Sequence, residues 1–241
     1  MSSDDLSGTF GYSHVTPAER ERRIRAVFQA VAGRYDLMND IMSMGIHRLW
    51  KRSMARAAAP KAGEMIVDLA GGTGDVARLL AGPDRMVVVC DPSTEMMAVG
   101  RARCPDSVRF AEGTAEAMPF PDNSVDMVSM AFGLRNVTSL EVALTEILRV
   151  LRPGGRFLCL EFSRPHALIR PFYDAWSFAV IPRLGAAIAQ EPAAYEYLVE
   201  SIRRFPDQAS LAQAFSAVGF DNVGWRDFSF GIACLHHGVK P

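Results

Sequence analysis

The amino-acid sequence predicts an α/β protein with a mainly parallel, seven-stranded sheet that ends in a C-terminal antiparallel hairpin. From residue 65 onward, short apolar runs alternate with helix-like segments, which is the pattern of βαβ units. A glycine-rich turn at 71–74 joins the first apolar run to the first of these helices. Near the C-terminus, two strand-like runs are separated only by a short turn at Gly231, which favours an antiparallel pair at the sheet edge.

Five apolar runs are predicted to form the parallel part of the sheet. They lie at 65–70, 86–91, 108–113, 125–132 and 156–162. Helices are predicted to begin at Asp75 and to span 93–104 and 139–155, the last of them ended by Pro153 and Gly154. A further helix, at 207–220, is predicted before the two C-terminal strands.

The chain is expected to form a single domain over residues 17–241, preceded by a flexible polar segment at 1–16. Apolar residues three or four apart predict an amphipathic helix within 21–45. An insertion at 163–206, rich in aromatic residues and prolines, separates the fifth strand from the C-terminal elements.

The composition excludes several classes of protein. The 241 residues are 49% apolar and carry a formal net charge of -1, which gives no reason to expect a nucleic-acid partner. The four cysteines lack CxxC spacing, so they are expected to be reduced thiols in a cytoplasmic protein. His236 and His237 are adjacent on a predicted strand and point to opposite faces, so no metal site is expected. No uncharged apolar run approaches the ~18 residues that a membrane span needs.

The glycine-rich turn is a candidate cofactor site. Gly71, Gly72, Thr73 and Gly74 follow the first strand, where a tight turn lets a ligand approach the backbone N–H groups of the next helix. Asp91 ends the second strand, close to the offset at which a carboxylate binds ribose hydroxyls. This spacing fits both NAD and S-adenosylmethionine, and it also fits a turn without a ligand.

Charge favours S-adenosylmethionine over a dinucleotide. Asp68 precedes the turn and Asp75 follows it, so a pyrophosphate would meet like charges, whereas a sulfonium and an ammonium would meet opposite ones. Thr114 and Ala115 follow the third strand, where backbone and small side chains would hold an adenine. A second interpretation of Asp68 stays open, because the same carboxylate would suit a helix cap.

Several segments carry a resemblance to known enzymes. VDLAGGTGD, CDPSTEMM, GTAEAMPFPDNSVDMV and RVLRPGG, in that order, resemble the class I methyltransferases. More narrowly, the chain resembles the quinone C-methyltransferase family, which methylates 2-polyprenyl-6-methoxy-1,4-benzoquinol in ubiquinone synthesis and demethylmenaquinol in menaquinone synthesis. The narrower resemblance depends most on RYDLMNDIMSMGIHRLWKR (34–52), FGLRNV (132–137) and YLVESIRRFPDQ (197–208).

The resemblance carries expectations about fold and function. It implies a Rossmann-like class I methyltransferase fold, S-adenosylmethionine as cofactor and a polyprenylated quinol as acceptor. It also implies that Tyr35 belongs to the catalytic site and that the chain forms a homodimer. Ala131 departs from the family pattern, since many relatives carry serine there beside the cofactor.

Arg135 and Asn136 are the candidate catalytic residues. The fourth strand is predicted to end near Phe132, and ligands of open α/β sheets bind beyond the carboxyl ends of the strands. Ionising a phenol at pH 7 costs about 4 kcal/mol, and a nearby cation lowers that cost. Arg135 would stabilise the phenolate of a quinol and orient a water that accepts the proton, while Asn136 would bind ring oxygens or that water. The alternative is that Arg135 caps a helix or pairs with a surface acid.

Three functions remain open at this point. The leading hypothesis is methyl transfer to a quinol carbon. The others are a nicotinamide-dependent reductase on the same fold and a non-catalytic scaffold of a quinone-synthesis complex. The insertion at 163–206 is interpreted as a lid on the domain, as a cover that binds the polyprenyl tail and contacts the inner face of the membrane, or as both.

Overall fold

A computed structural model describes residues 8–31, 39–40, 43–175 and 192–241. The strands are β1 (Thr9–Phe10), β2 (Ser13–His14), β3 (Met65–Leu69), β4 (Met86–Asp91), β5 (Val108–Glu112), β6 (Val125–Ala131), β7 (Leu151–Phe162), β8 (Asp221–Phe228) and β9 (Ala233–Val239). The α-helices are α1 (Pro17–Val31), α2 (Ile46–Ala58), α3 (Asp75–Leu80), α4 (Thr94–Arg101), α5 (Leu140–Val150), α6 (Arg170–Ala175), α7 (Pro192–Arg204) and α8 (Gln208–Ala217). A 3₁₀ helix spans Leu134–Asn136.

The main sheet has seven strands in the order β5-β4-β3-β6-β7-β9-β8. The first five are parallel, and β9 runs antiparallel to both β7 and β8. The predicted fold class, including the C-terminal antiparallel hairpin, is therefore confirmed. The strand order reverses at β3, and ligands of open α/β sheets bind at the carboxyl ends of the strands at such a point.

The centre of the sheet is apolar on both faces because helices cover both. Ile66, Val67 and Leu69 of β3 are each at most 1% exposed. One core cluster contains Phe157 and lies against α5 and α8, and the other contains Trp50 and lies against α2, α3 and α4. This covering explains why the strands read as continuous apolar runs rather than alternating ones.

One predicted helix is too long. The pattern predicts a helix over 139–155, whereas α5 ends at Val150 and β7 begins at Leu151. The amide N–H of Gly154 donates to the carbonyl of Lys240 at 2.9 Å, and the Lys240 N–H donates to the carbonyl of Gly155 at 2.8 Å. These partners are far apart in the chain, so local periodicity gives no sign of the pairing.

The N-terminal segment contains regular structure where it is described. Within the range 1–16, which is expected to be flexible, β1 and β2 form a hairpin. The ring of Phe10 stacks on that of Tyr197 with centroids 4.2 Å apart, and Arg20 Nε donates to the carbonyl of Thr9 at 2.8 Å. These contacts come from α7 and α1, so the polar composition of the segment does not reveal them.

Two predicted features of the site lie outside the residues that the structure describes. They are Tyr35 and the aromatic stretch of the insertion at 176–191. None of the helices within the described ranges combines the length and the apolar character needed to cross a bilayer.

Candidate active site

A cavity of about 570 Å³ opens at the carboxyl ends of β3, β4, β5 and β6. Four loops of the sheet line it, and side chains of α1 and α2 close one side. The lining includes Ala70–Thr73, Asp91–Ser93, Gly113–Glu116, Met130–Gly133, Asn136–Ser139, Glu21, Ile24, Arg25, Lys51, Asp68 and Asp75. The cavity therefore lies where the reversal of strand order predicts a ligand.

The loop after β3 is held in a conformation that ordinary side chains rarely adopt. Gly74 has φ 76°, and a Cβ atom placed on it would lie 2.4 Å from Cys104 Sγ. Ala70, a residue with a Cβ, also has a positive φ, of 50°. Such strained positions persist only when the surroundings determine them, and they are common at ligand sites.

Asp91 ties the end of β4 to this loop. Its Oδ2 accepts from the Gly72 N–H at 2.9 Å, and its Oδ1 accepts from the Ser93 N–H at 2.8 Å. Burial raises the pKa of the Asp91 carboxyl, while the two N–H donors oppose that rise. The carboxylate still has acceptor capacity, which its predicted contact with a ribose requires, and Asp91 lines the cavity.

Asp68 caps a helix at the floor of the cavity. Its Oδ2 accepts from the Ala77 N–H at 2.8 Å and its Oδ1 from the Ser129 hydroxyl at 3.0 Å. Burial raises the pKa of the Asp68 carboxyl to about 7. The structure thus contains the capping contact that the sequence left open as an alternative, and Asp68 nevertheless lines the cavity.

A lysine makes the cavity less negatively charged than the carboxylates of the sequence predict. Lys51 Nζ lies 3.2 Å from Asp75 Oδ2, both residues line the cavity, and Lys51 is only 7% exposed. The Asp75 charge is therefore largely balanced. Asp68 and Asp91 remain as the buried acids of this side, and Thr114 and Ala115 line the cavity beyond Asp91.

Arg135 lies beside the cavity in a buried ion pair. Its Nη1 is 2.9 Å from Glu161 Oε1, the two side chains are 6% and 1% exposed, and Nη1 also donates to the carbonyl of Phe132. The Arg135 backbone N–H donates to Glu161 Oε2 at 3.3 Å. Among the described residues, Arg135 Nε has no hydrogen-bond partner. Arg135 is therefore ion-paired, but with a buried acid of β7 rather than with the surface acid of the predicted alternative.

Asn136 lines the cavity and is held by residues that sequence reasoning missed. Its Oδ1 accepts from the Tyr197 hydroxyl at 3.0 Å, and its carbonyl accepts from Arg20 Nη1 at 2.9 Å. Arg20 Nη2 also donates to the carbonyl of Arg135 at 3.2 Å. Tyr197 opens the YLVESIRRFPDQ segment, which was the only sequence signal for its importance.

The predicted site residues thus fall into three groups. Those that line one cavity are Asp68, Gly71, Gly72, Thr73, Asp91, Thr114, Ala115 and Asn136. Gly74 begins the helix that follows the loop, and Arg135 lies behind Asn136. Tyr35 is outside the described residues, so its place in the site stays a prediction.

Comparison with known proteins gives a consistent family assignment. The model of the ubiE/COQ5 methyltransferase family matches residues 16–240. The ubiquinone/menaquinone biosynthesis C-methyltransferase UbiE of Rubrivivax gelatinosus is 63% identical over 235 residues, which cover 98% of this chain and 94% of that protein. The protein of the same name from Acidiphilium cryptum is 48% identical over 238 residues, with 96% of both chains covered.

Solved structures support the same fold at lower identity. A SAM-dependent methyltransferase of Thermotoga maritima superposes with a TM-score of 0.65 at 19% identity, covering 89% of this chain and all of that one. At this identity the likeness concerns the fold alone.

Proposed function

The chain belongs to the ubiE/COQ5 methyltransferase family, and we propose that it methylates a ring carbon of a polyprenylated quinol, with S-adenosylmethionine as methyl donor. The acceptor is demethylmenaquinol, 2-methoxy-6-polyprenyl-1,4-benzoquinol, or both. The observation that carries the proposal is the cavity at the strand ends, which has buried carboxylates on one side and Asn136 with apolar neighbours on the other.

The cofactor side of the cavity fits a cationic ligand. When bound, S-adenosylmethionine supplies a methyl group made electrophilic by its positively charged sulfur. The buried carboxyl of Asp68 has a raised pKa, so a nearby cation would stabilise its ionised form. We assign Asp68 to the α-ammonium, Gly71–Gly74 to the amino-acid moiety, Asp91 to the ribose, and Thr114 with Ala115 to the adenine.

The acceptor side fits an apolar ring with polar substituents. Phe132, Val137, Val142 and Ile24 line the cavity around Asn136. Their apolar surfaces exclude water from a bound ring, so a hydrogen bond from Asn136 to a ring oxygen is strengthened by the low local dielectric. Arg135 lies behind Asn136, and its positive charge stabilises the phenolate. The ion pair with Glu161 reduces the positive potential that Arg135 exerts at the ring.

The test is direct turnover with both ring classes. The purified protein is incubated without oxygen with methyl-labelled S-adenosylmethionine and short-tailed demethylated benzoquinol or naphthoquinol. We expect labelled C-methylated product from at least one ring. The oxidised quinones are the matched control and should give none, because an electron-poor ring carbon is not a nucleophile. Absence of product from both quinols, with the R. gelatinosus relative active in parallel, would overturn the proposal.

We further propose that the protein works in the cytoplasm at the inner face of the membrane. Leu168 and Phe230 are 85% and 69% exposed, and the His166 N–H donates to the carbonyl of Phe230 at 2.9 Å, so the two segments adjoin. The antiparallel pairing of β7 with β9 puts this hairpin tip at the same edge as the cavity. An acceptor with a polyprenyl tail is held in the bilayer, so an apolar contact at this edge would bring the cavity to it.

Vesicle sedimentation tests the membrane contact. Phe230→Ser combined with Leu168→Ser should lower the fraction bound to phosphatidylglycerol-containing vesicles. Met86→Ser is the matched control, because Met86 is 55% exposed but begins β4 at the opposite edge of the sheet. Equal binding of all three proteins would refute the assignment of this surface.

A homodimer through the sheet edge is also proposed. β8 is an edge strand of the main sheet, and its Trp225 is 46% exposed. Edge strands present unpaired backbone groups that pair readily with a second chain. Sedimentation velocity should show a dimer that Trp225→Lys dissociates, and a monomeric wild type would exclude it.

A further inference from the structure

The side chain and the backbone of Asn136 are fixed from outside the sheet. The hydroxyl of Tyr197, on α7, donates to Asn136 Oδ1 at 3.0 Å. Arg20, on α1, donates to the carbonyl of Asn136 at 2.9 Å. Tyr197 and Arg20 are 5% and 3% exposed, so both hold Asn136 from a buried position.

Tyr197 is itself tightly located. Its ring stacks on Phe10 of the N-terminal hairpin with centroids 4.2 Å apart and an interplanar angle of 12°. Arg20 bonds the same hairpin through the carbonyl of Thr9 at 2.8 Å. Stacking restricts the ring, so the hydroxyl has a fixed position relative to the amide of Asn136.

The contact with Tyr197 determines which group of the Asn136 carboxamide is free to bind a ligand. The carboxamide has an accepting oxygen on one side and a donating NH₂ group on the other. Because Tyr197 occupies the oxygen, the Nδ2 group is turned away from Tyr197, and Asn136 borders the cavity. Burial raises the pKa of the Tyr197 hydroxyl, so it keeps its proton and remains a donor at neutral pH.

We propose that Tyr197 is a positioning residue that presents the Nδ2–H of Asn136 to an oxygen of the acceptor ring. The inference rests on the proposed function, because the oxygen is that of the quinol. A fixed donor stabilises the phenolate more than the neutral phenol, and this lowers the pKa of the bound acceptor. The role goes beyond packing, since it acts on the ionisation of the substrate.

Three charged groups face the Tyr197 hydroxyl and shape the same ionisation. Arg20 from α1 and Arg135 from the 3₁₀ helix favour negative charge nearby, and Glu161 from β7 opposes it. All three remain in place when the Tyr197 hydroxyl alone is removed. A change in pH dependence after that removal therefore reports on the amide of Asn136.

The experiment is the pH profile of Tyr197→Phe, which keeps the stacked ring and deletes the hydroxyl. With saturating quinol, we expect kcat near pH 7 to fall by about tenfold, the usual effect of one hydrogen bond. The acid limb of the kcat profile should move to higher pH, so that the deficit shrinks as pH rises. KM for S-adenosylmethionine should not change, because the described contacts of the Tyr197 side chain are with Asn136 and Phe10 and not with the residues assigned to the cofactor.

Two comparisons make the test specific. Tyr12→Phe is the matched control, since Tyr12 is 54% exposed in the same N-terminal hairpin, and its profile should match the wild type. In an Asn136→Ala background, Tyr197→Phe should have an additional effect of less than about twofold, because its action passes through Asn136.

The outcomes separate this inference from the proposed function. Wild-type turnover of the quinol tests the function. If the wild type is active and Tyr197→Phe lowers kcat evenly at every pH, or adds its full effect in the Asn136→Ala background, the positioning role is overturned and the function stands. If the wild type gives no C-methylated product, both are overturned.

Discussion

At the scale of single residues, Gly74 combines a left-handed backbone with no room for a side chain. Its φ is 76°, and the nearest obstacle to a Cβ is Cys104 Sγ at 2.4 Å. Gly154 has nearly the same φ, 77°, but nothing lies within 4 Å of its Cβ position. The pair therefore separates the cost of conformation from the cost of a clash.

We expect Gly154→Ala to lower the free energy of unfolding by about 1–2 kcal/mol, the cost of a left-handed Cβ. Gly74→Ala should lower it by an additional ~1–3 kcal/mol through overpacking and should weaken S-adenosylhomocysteine binding. Urea titration and calorimetry measure the two effects. If both variants lose the same free energy of unfolding, and Gly74→Ala still binds S-adenosylhomocysteine normally, then the loop accommodates the added Cβ and the predicted clash does not occur.

Asp68 should give stability an unusual dependence on pH. Its carboxyl pKa rises from 3.8 to about 7 on folding. Between these values the folded state keeps a proton that the unfolded state releases, so this contribution is full below pH ~4 and declines toward pH ~7 by at most about 1.4 kcal/mol per pH unit. Asp68→Asn should remove the decline, since the amide oxygen can still accept from the Ala77 N–H.

The measurement for Asp68 is the free energy of unfolding at a pH of about 5 and of about 8. The difference between the two should be smaller in Asp68→Asn than in the wild type. The exposed Asp106 supplies the control variant, Asp106→Asn, which should leave the difference unchanged. A difference in Asp68→Asn as large as in the wild type would mean that Asp68 is ionised in the folded protein at pH ~5.

Sequence reasoning found the residues at strand ends and missed those that hold them. Asn136 follows from the rule that ligands bind beyond the carboxyl ends of parallel strands, and Asp91 follows from its offset after the glycine-rich turn. Lys51 of α2 lines the cavity and pairs with Asp75, and Tyr197 of α7 contacts Asn136 at the border of the cavity. Both contacts depend on tertiary packing. A helical lysine or tyrosine has no local pattern that distinguishes it from an ordinary surface or core residue.

At the scale of elements, the 3₁₀ helix is held against β7 by the buried pair of Arg135 and Glu161. Glu161 accepts from Arg135 Nη1, from the Arg135 N–H and from the Phe162 N–H. The carboxylate therefore anchors the turn after β6 as well as neutralising the guanidinium. Its removal should act on stability and on the charge beside the acceptor together.

We expect Glu161→Gln to lower the free energy of unfolding by about 3 kcal/mol, because a buried guanidinium loses its counter-charge. In the protein that remains folded, the uncancelled cation should move the acid limb of the kcat profile to lower pH, opposite to the shift expected for Tyr197→Phe. Glu21→Gln, which breaks the exposed pair of Arg25 with Glu21, should change stability by less than ~0.5 kcal/mol. An unmoved acid limb would mean that Arg135 does not act on the acceptor.

The elements that sequence predicted well are those whose signal is local. β3 and β4 are continuous apolar runs bounded by turns, and they appear within a residue of their predicted limits. The sequence does not predict the start of β7, because its first residues are held by distant partners. Leu151 pairs with β6 before a register shift, and Gly154 and Gly155 bond to Lys240 near the end of the chain. The N-terminal hairpin has no local sequence signal, because its Phe10 packs on Tyr197, far along the chain.

At the scale of the whole molecule, two sets of elements meet at one cavity. The sheet supplies the loops proposed to bind the cofactor, which sequence motifs identify. α1, α7 and the N-terminal hairpin close on the 3₁₀ helix through Arg20 and Tyr197. Cofactor binding should therefore stabilise the folded protein even when the contacts of Tyr197 or Arg20 with Asn136 are removed.

This division predicts the response to ligands. S-adenosylhomocysteine at a hundred times its Kd should raise the free energy of unfolding by about 2.7 kcal/mol, and NADPH should have no effect. Tyr197→Phe should keep the full response, whereas Asp91→Ala should lose most of it, because Asp91 also holds the Gly72 N–H. Thermal melting in the presence of each ligand is the measurement, with Asp106→Ala as the control for removal of an exposed carboxylate. A larger rise with NADPH than with S-adenosylhomocysteine would favour the reductase hypothesis, because stabilisation follows differential affinity for the folded state.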